Sequence, residues 1–582
     1  MLVLYLVLFL ALSASKSGHG FQMRSKHCMS RHSTRSELRM SDQGDLLEQM
    51  RRSLGDKEDV YEDAQTESKM LMQGLKDLDR DPNMRANRAF MDWLAEEGVY
   101  VQTESTWGRA PHPLVISSTT EDDGETCGRG MLARESLSEG ELMMTIPFDL
   151  CLTRAGAQEI FGQEVIPDNM DEYIAISLLL MTEKLKGASS RWKPYFDVLP
   201  DAAEVYPSYI WADEELELLR GSPVYAASKS LRSKLEREYE EVKARILDKF
   251  PAKFPNAEKY TKELFLWTFV MLFSRAARLS SKISGEELAL VPYADLMNHN
   301  PYSRTYIDAQ RSGMPLISRT EEVAVYSDRP YKQFEQVFIS YGEKGNADLL
   351  LLYGFALERN PFNSVEISVG LSKDDPLYDQ KKSYLDRSGR GLASVRFPLQ
   401  GNRYPSELVD FLRLLLVEPE DLGMQPLQTT DFNEPISPSL ERRVLQTLES
   451  ICESYLEQYA TTVEQDEALI MDKGMFATLS RQSRMAIKLR ASEKRILQAT
   501  IAASKEELLK LPSVQAGSGD KVVPAGRTFD TMREKADVVE AVNARDMTAW
   551  VELKGQKQKK GEEKGDESAA ERRRRRRKES RR

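Results

Sequence analysis

The sequence predicts an α+β protein in which a strand-rich part carrying a long helical stretch is followed by an all-helical part. Two patterns support this. Between Cys127 and Pro147, apolar and polar residues alternate in the two-residue rhythm of strands, punctuated by Gly128, Gly130 and Gly140. Over 231–250, and again over 406–416, 434–459 and 480–509, apolar residues recur at three- and four-residue spacing, the rhythm of helices that bury one face. At 582 residues the chain exceeds the ~250–300 residues at which a single core stops growing, so separate domains are expected.

The chain opens on an apolar run over 2–12, too short to span a bilayer, followed by the small residues Ser13, Ala14 and Ser15. That is the layout of a signal-peptide core. Residues 16–40 then carry Lys, Arg, His and Ser with Glu37 as the single acid, the composition of a transit peptide. Together 1–40 are similar to the two-part presequences that direct proteins to complex plastids, Phe21 standing where the transit part would begin; a plain secretory signal or membrane anchor is the alternative. Residues 41–85 are acidic and polar and read as a linker.

At the far end, 511–582 is low in complexity, with one candidate helix at 528–551 and a basic close that includes six consecutive arginines at 572–577. Adjacent guanidinium groups repel one another and cannot be buried, so this tail stays solvated and open to acidic partners. With 41% hydrophobic and 30% charged residues, the chain has the composition of a globular protein. Its formal charge is −11 even with both ends basic, so the middle is more acidic than the total, which argues against a DNA-binding face.

Metal chemistry is disfavoured by count. The four cysteines, Cys28, Cys127, Cys151 and Cys452, form no CxxC pair, and beyond the leader the histidines are His112 and His299. No metal is expected.

Three motifs carry the chemistry. The first is Cys127, Gly128, Arg129, Gly130, Met131, in which glycines flanking one residue let backbone come close to a ligand; alone, it is an ordinary hairpin turn. The second runs from Val291 through Tyr293 and Asp295 to Asn298 and His299. The third is Ser340, Tyr341, Gly342, followed by Asn346 and by Tyr353, Gly354, Phe355. In this order and spacing the three resemble the SET-domain methyltransferases.

Further residues resemble the Rubisco large-subunit lysine methyltransferase branch: Phe90 to Leu94, Trp192 to Phe196 before Leu199 and Pro200, and Ser274, Arg275, Ala276 ahead of the Asn-His pair. The resemblance covers about three quarters of the chain. It implies a SET β-fold with a pseudoknot over 86–365, a helical insertion at about 161–284, and an all-α substrate-binding domain over 375–510 that docks a folded protein. S-adenosyl-L-methionine is the implied cofactor.

The site follows residue by residue from the same resemblance. Arg129, Gly130 and Met131 would meet the cofactor through backbone, Arg275 its carboxylate, and Asn298, His299 and Phe355 the remainder. Tyr341 would stand beside the transferring methyl as the catalytic residue; Tyr293 and Tyr353 would line the substrate side. Asp295 reads as structural, and Tyr302 and Tyr306 are unplaced channel aromatics.

One position departs from the pattern. Ala277 stands where lysine-modifying relatives carry an aromatic and actin-histidine relatives an asparagine. The implied activity is a monomeric lysine N-methyltransferase acting on a plastid protein such as the Rubisco large subunit or aldolase. A histidine methyltransferase and a non-catalytic binding module built on the same fold are the alternatives.

Overall fold

The computed structural model describes residues 82–512 apart from 100–112, 123, 282–284, 306, 313–319, 388–393 and 402–403. The leader, most of the linker, His112, Tyr306, the tail and its candidate helix lie outside the described residues. The helix Pro82–Glu96 begins inside the stretch read as linker; proline's fixed φ suits the first turn of a helix. From Trp93 onward the chain forms one compact unit, which carries everything that follows.

Among the described residues twelve strands make four small sheets. In chain order they are β1 (Leu114–Asp122), β2 (Glu125–Ala133), β3 (Leu142–Pro147), β4 (Leu152–Thr153), β5 (Ala277–Ser281), β6 (Gly285–Leu290), β7 (Asn298–His299), β8 (Asp308–Ser312), β9 (Thr320–Tyr326), β10 (Gln336–Ile339), β11 (Val365–Gly370) and β12 (Ser394–Leu399). The sheets run β1-β2-β10-β7, β3-β9-β8, β4-β6-β5 and β11-β12. Every pairing is antiparallel except β7 with β10, where Asn298 lies opposite Phe338 and His299 opposite Ile339. That parallel pair joins segments some forty residues apart and brings the second motif beside the third.

Between β4 and β5 the chain makes its helical insertion. The helix Glu172–Lys186 starts at Asp171, whose carboxylate accepts from the Tyr173 and Ile174 amides, and Lys262–Arg275 starts at Thr261, whose hydroxyl accepts from the Leu264 amide. The two pack together: Ser177 and Thr268 share a buried hydrogen bond at 2.6 Å, and Tyr173 stacks on Phe269. Pro223–Val242 accounts for the helical rhythm seen from residue 231 and continues as a π-helical turn over Lys243–Leu247.

The insertion closes earlier than its expected end at 284. Ala276 is already extended, and Ala277–Ser281 pairs with β6 from Ala277↔Ala289 to Ser281↔Gly285. The serines near 280 and Gly285 are hairpin residues rather than helix formers.

Beyond β10 the chain is mainly helical: Tyr378–Arg387, Ser406–Leu416, Pro438–Leu456, Val463–Met471, Lys473–Thr478 and Arg481–Lys510. Ser437 and Ser480 cap the two longest helices, their hydroxyls accepting from the Leu440 and Ser483 amides, so both begin at the serine and not earlier. A common core of Phe411, Leu440, Val444, Leu448 and Leu497 holds Ser406–Leu416, Pro438–Leu456 and Arg481–Lys510 together, and a smaller cluster joins Ile470 and Phe476 to Ile487 and Ala491. Each such side chain contributes about 1.5–3 kcal/mol on full burial. The periodicity did not reveal the β11–β12 ribbon, which packs Val365, Ile367, Val369 and Leu399 into the same core. Among the described residues no helix is long and apolar enough to cross a membrane.

Candidate active site

The site is assembled where β2, β10 and β7 lie side by side. Gly130 is buried in β2, and a Cβ there would sit 2.7 Å from the Asn298 amide nitrogen, 2.8 Å from Thr120 and 2.9 Å from Gln336. Only glycine leaves room for Asn298. That amide donates to Thr120 Oγ1 at 3.0 Å and to the Arg129 carbonyl at 3.2 Å, tying β7 to the glycine-rich strand. Gly128 has φ +70°, a left-handed conformation that favours glycine. The Arg129 and Met131 side chains leave this junction: the Arg129 guanidinium donates to the Val198 carbonyl, and Met131 is buried.

His299 follows Asn298 into the interior. Its Nδ1 accepts from the Tyr341 backbone amide at 3.1 Å, which places the ring proton on Nε2. Burial pushes its pKa down to about 4, so the imidazole is neutral at physiological pH. Nε2 is buried with no partner among the described residues.

Tyr341 stacks on His299 at 5.0 Å and on Tyr353 at 5.0 Å, with interplanar angles of 19° and 20°. Phe355 completes the group, 6.3 Å from both His299 and Tyr353. Tyr341, Tyr353 and Phe355 are half-buried, so part of the stack remains accessible. The Tyr341 hydroxyl donates to the Met297 carbonyl at 3.0 Å, and desolvation raises its pKa well above that of a free phenol, with Arg275 pulling the other way. It is a neutral phenol with spare acceptor capacity.

Arg275 ends the helix Lys262–Arg275 and is held by the loop before the Asn-His pair. Its guanidinium donates to the Asp295 carbonyl at 2.7 Å and lies 3.9 Å from the Asp295 carboxylate. Tyr195 donates to that carboxylate at 2.6 Å, and burial raises Asp295 to about 6 against the opposing effects of Arg275 and Tyr195. Arg275 Nε and Asp295 Oδ1 are both buried without a partner among the described residues.

The structure therefore brings Gly130, Asn298, His299, Tyr341, Tyr353, Phe355 and Arg275 into one neighbourhood. Tyr293 is fully buried at φ +79°, with its hydroxyl 3.5 Å from the Leu114 carbonyl and so directed toward β1. Tyr302 is 69% exposed. Ala277 opens β5, half-buried and opposite Ala289.

Two participants went unassigned in the sequence. Tyr195 had marked only a family likeness. Asn346 spans the third motif, donating to the Leu357 carbonyl at 2.8 Å and accepting its amide at 3.0 Å, which holds the loop after Tyr353. Asparagines crowded at 346, 360 and 363 are the signal that could have found it.

Comparison with known proteins decides the family. The SET domain matches residues 128–342, and the Rubisco LSMT substrate-binding domain matches 372–497. The chain is 30% identical over 437 residues to the chloroplastic [fructose-bisphosphate aldolase]-lysine N-methyltransferase of Arabidopsis thaliana, covering 73% of this chain and 84% of that protein. It belongs to the SET-domain protein-lysine methyltransferases. It is also 26% identical to the human actin-histidine N-methyltransferase, covering 72% of this chain and 73% of that one. A crystal structure of the SET domain of LSMT bound to lysine and AdoHcy superposes with a TM-score of 0.62 at 26% identity, over 79% of this chain and 98% of the other.

The cofactor of this SET-domain methyltransferase is S-adenosylmethionine, and the residues present fit it. Among the described residues Arg275 keeps a buried donor without a partner and His299 another, and Gly130 leaves room for the Asn298 amide beside them. An arginine fork beside an amino-acid carboxylate is a favourable pairing.

Proposed function

We propose that this enzyme methylates a lysine on a folded plastid protein of the aldolase or Rubisco large-subunit kind, working as a monomer. The observation that carries the reading is the stack His299–Tyr341–Tyr353, formed where the β7–β10 pairing crosses the glycine-rich strand. The chloroplastic relative and the transit-like leader support the plastid. Residues 86–365 would be the catalytic domain and 375–510 the docking domain, and the arginine-rich tail would attract acidic partners.

Bound S-adenosylmethionine supplies a methyl carbon on a positively charged sulfur, open to in-line attack by a neutral amine. The backbone of Arg129, Gly130 and Met131, the Arg275 guanidinium, and Asn298, His299 and Phe355 hold that cofactor. The neutral Tyr341 hydroxyl, which keeps acceptor capacity beyond its bond to the Met297 carbonyl, would orient the amine and accept weak contacts from an electron-poor methyl. Tyr353 lines the amine's approach, whereas Tyr293, expected on the same side, is buried and turned toward β1; the aromatic surface disfavours the charged ammonium, promoting its deprotonation.

None of these groups is poised as a base at neutral pH. His299 Nδ1 is occupied by the Tyr341 amide, and Tyr341 holds its own proton. The amine therefore gives up its proton to water before attack.

Histidine methylation is the second reading, favoured by the actin-histidine relatives. Against it, Ala277 has no group with which to hold an imidazole. The test is incubation of the enzyme with methyl-labelled cofactor and plastid extract, followed by mass spectrometry of labelled peptides. Label is expected on lysine and to fall about 100-fold or more in Tyr341→Phe; label on histidine would exchange the two readings, and undiminished label in Tyr341→Phe would remove Tyr341 from the mechanism.

A further inference from the structure

The helix Arg481–Lys510 belongs to the docking region, yet its first two turns hold both walls of the catalytic site. Arg484 grips Glu125 as a two-pronged fork, Nε lying 3.0 and 3.1 Å from the two carboxylate oxygens and a terminal nitrogen 2.8 Å from the second. Lys488, one turn on and almost wholly buried, lies 3.3 Å from the same carboxylate. Burial alone would raise Glu125, but Arg484 and Lys488 keep it below the ordinary carboxylate value, so it is charged and firmly paired.

Glu125 is the first residue of β2, paired with Asp122 across the β1–β2 turn. Along the same hairpin lie Thr120, Arg129 and Gly130, the residues that meet Asn298. The fork therefore fixes the tip of the hairpin that forms one wall.

The other wall is held from the same helix face. Arg481, three residues before Arg484, donates to the Glu204 carbonyl at 2.6 Å, the Val205 carbonyl at 3.1 Å and the Gly354 carbonyl at 3.2 Å. Gly354 separates Tyr353 from Phe355 in a left-handed turn at φ +74°, so close to the insertion that a Cβ there would lie 2.0 Å from the Val205 carbonyl. Met485 adds a third tie, its sulfur accepting the Ala356 amide at 3.1 Å. Positions 481, 484, 485 and 488 share one helical face.

We propose that Arg481 and Arg484 are positioning residues for methyl transfer: through Glu125 and Gly354 they set the glycine-rich hairpin against the Tyr353–Phe355 turn, so that the docking helix is also a structural member of the cofactor site. Arg484 acts through Glu125 and the hairpin, and Arg481 through the backbone of the turn; neither touches the reacting atoms. This inference rests on the cofactor reading given above. It makes cofactor affinity depend on a helix outside the SET-domain match, which ends at residue 342.

The test uses the full chain and titrates it calorimetrically with S-adenosylhomocysteine. Arg484→Leu and Arg481→Met are each expected to weaken binding at least fivefold, and Arg484→Lys to recover most of the loss, because it again sets a second cation beside Lys488 opposite Glu125. The control for a merely structural effect is Arg490→Leu on the same helix. Arg490 donates to the Leu218 carbonyl and to Asp466 and has no part in the hairpin or the turn. That variant should lower the melting temperature as much or more while leaving affinity within twofold of wild type.

Unchanged affinity in both Arg484→Leu and Arg481→Met, or equal weakening in Arg490→Leu, would overturn the positioning role. A wild-type chain that binds no S-adenosylhomocysteine would instead contradict the cofactor reading, which keeps the two failures apart.

Discussion

Two buried polar clusters in this protein are built to opposite rules. At the docking helix, Lys494 donates to the Thr461 and Thr462 carbonyls and to Asp466, while Asp466 also takes Arg490 and the Thr461 hydroxyl. Every charge there has its partners. At the catalytic loop, Arg275 Nε, Asp295 Oδ1 and His299 Nε2 are buried without partners among the described residues. An unpaired buried polar atom costs about 1–3 kcal/mol, so three close together mark a place shaped for something other than its own stability. The first cluster holds the fold; the second is the one that the proposed cofactor would complete.

The sharpest way to break that comparison is to damage the satisfied cluster. Lys494→Met strips Asp466 of a buried cation and should destabilise the chain by about 3–5 kcal/mol in urea unfolding. Cofactor affinity in the folded fraction should hardly move. If stability were intact, the contrast between the clusters would fail.

Next in size is a pH effect on the same helix. Glu493 is fully buried, accepts hydroxyl hydrogen bonds from Ser222 and Tyr459, and is raised by burial to about 7 against the opposing pull of Arg490 and Lys494. The folded state therefore holds a proton that the unfolded state, with an ordinary carboxylate, releases. This contribution favours the fold at low pH and is lost as pH rises from about 4.5 to about 7. Glu493→Gln should match wild type at the acid end and exceed it above pH 7 by up to about 3 kcal/mol in chemical denaturation. His299, held neutral with its value lowered to about 4, works in the other sense: its contribution is lost as pH falls from about 6.5 toward 4.

A smaller effect sharpens the catalytic side. Gly130→Ala forces Asn298 or Thr120 to retreat, an overpacking of about 1–3 kcal/mol. Part of that should emerge as roughly tenfold weaker S-adenosylhomocysteine binding, read by calorimetry. An alanine variant with unaltered affinity would show that the Asn298 contact is only packing.

What could be read from the sequence followed the physics of exposure. The helix Ser406–Leu416 was legible to the residue because one face meets solvent and the other the core. Glu172–Lys186 and Lys262–Arg275 carry apolar residues on nearly all sides, being buried between neighbours, and so show little helical rhythm; their place came from the family likeness. The β11–β12 ribbon escaped although Val365, Ile367 and Val369 alternate with Glu366 and Ser368, because so short an alternation beside long amphipathic helices is a weak signal.

At the site, the motifs identified Asn298, His299 and Tyr341, but not how they meet. The Tyr341 amide binding the His299 ring and the Gly130 cradle for Asn298 depend on the parallel β7–β10 pairing, which no local pattern encodes. Tyr195 and Arg481 reach the site from 100 and 127 residues away in the chain, which is why neither stood out.

The central claim is that the catalytic-loop cluster is the proposed cofactor pocket and that the Arg275 guanidinium is one of its donors. Calorimetric titration of the full chain with S-adenosylhomocysteine, for wild type and Arg275→Leu, tests it most directly. The account predicts one site per chain in wild type and a loss of about 10- to 100-fold in the variant, the worth of a hydrogen bond to a charged group. Equal affinity in the two proteins would contradict it.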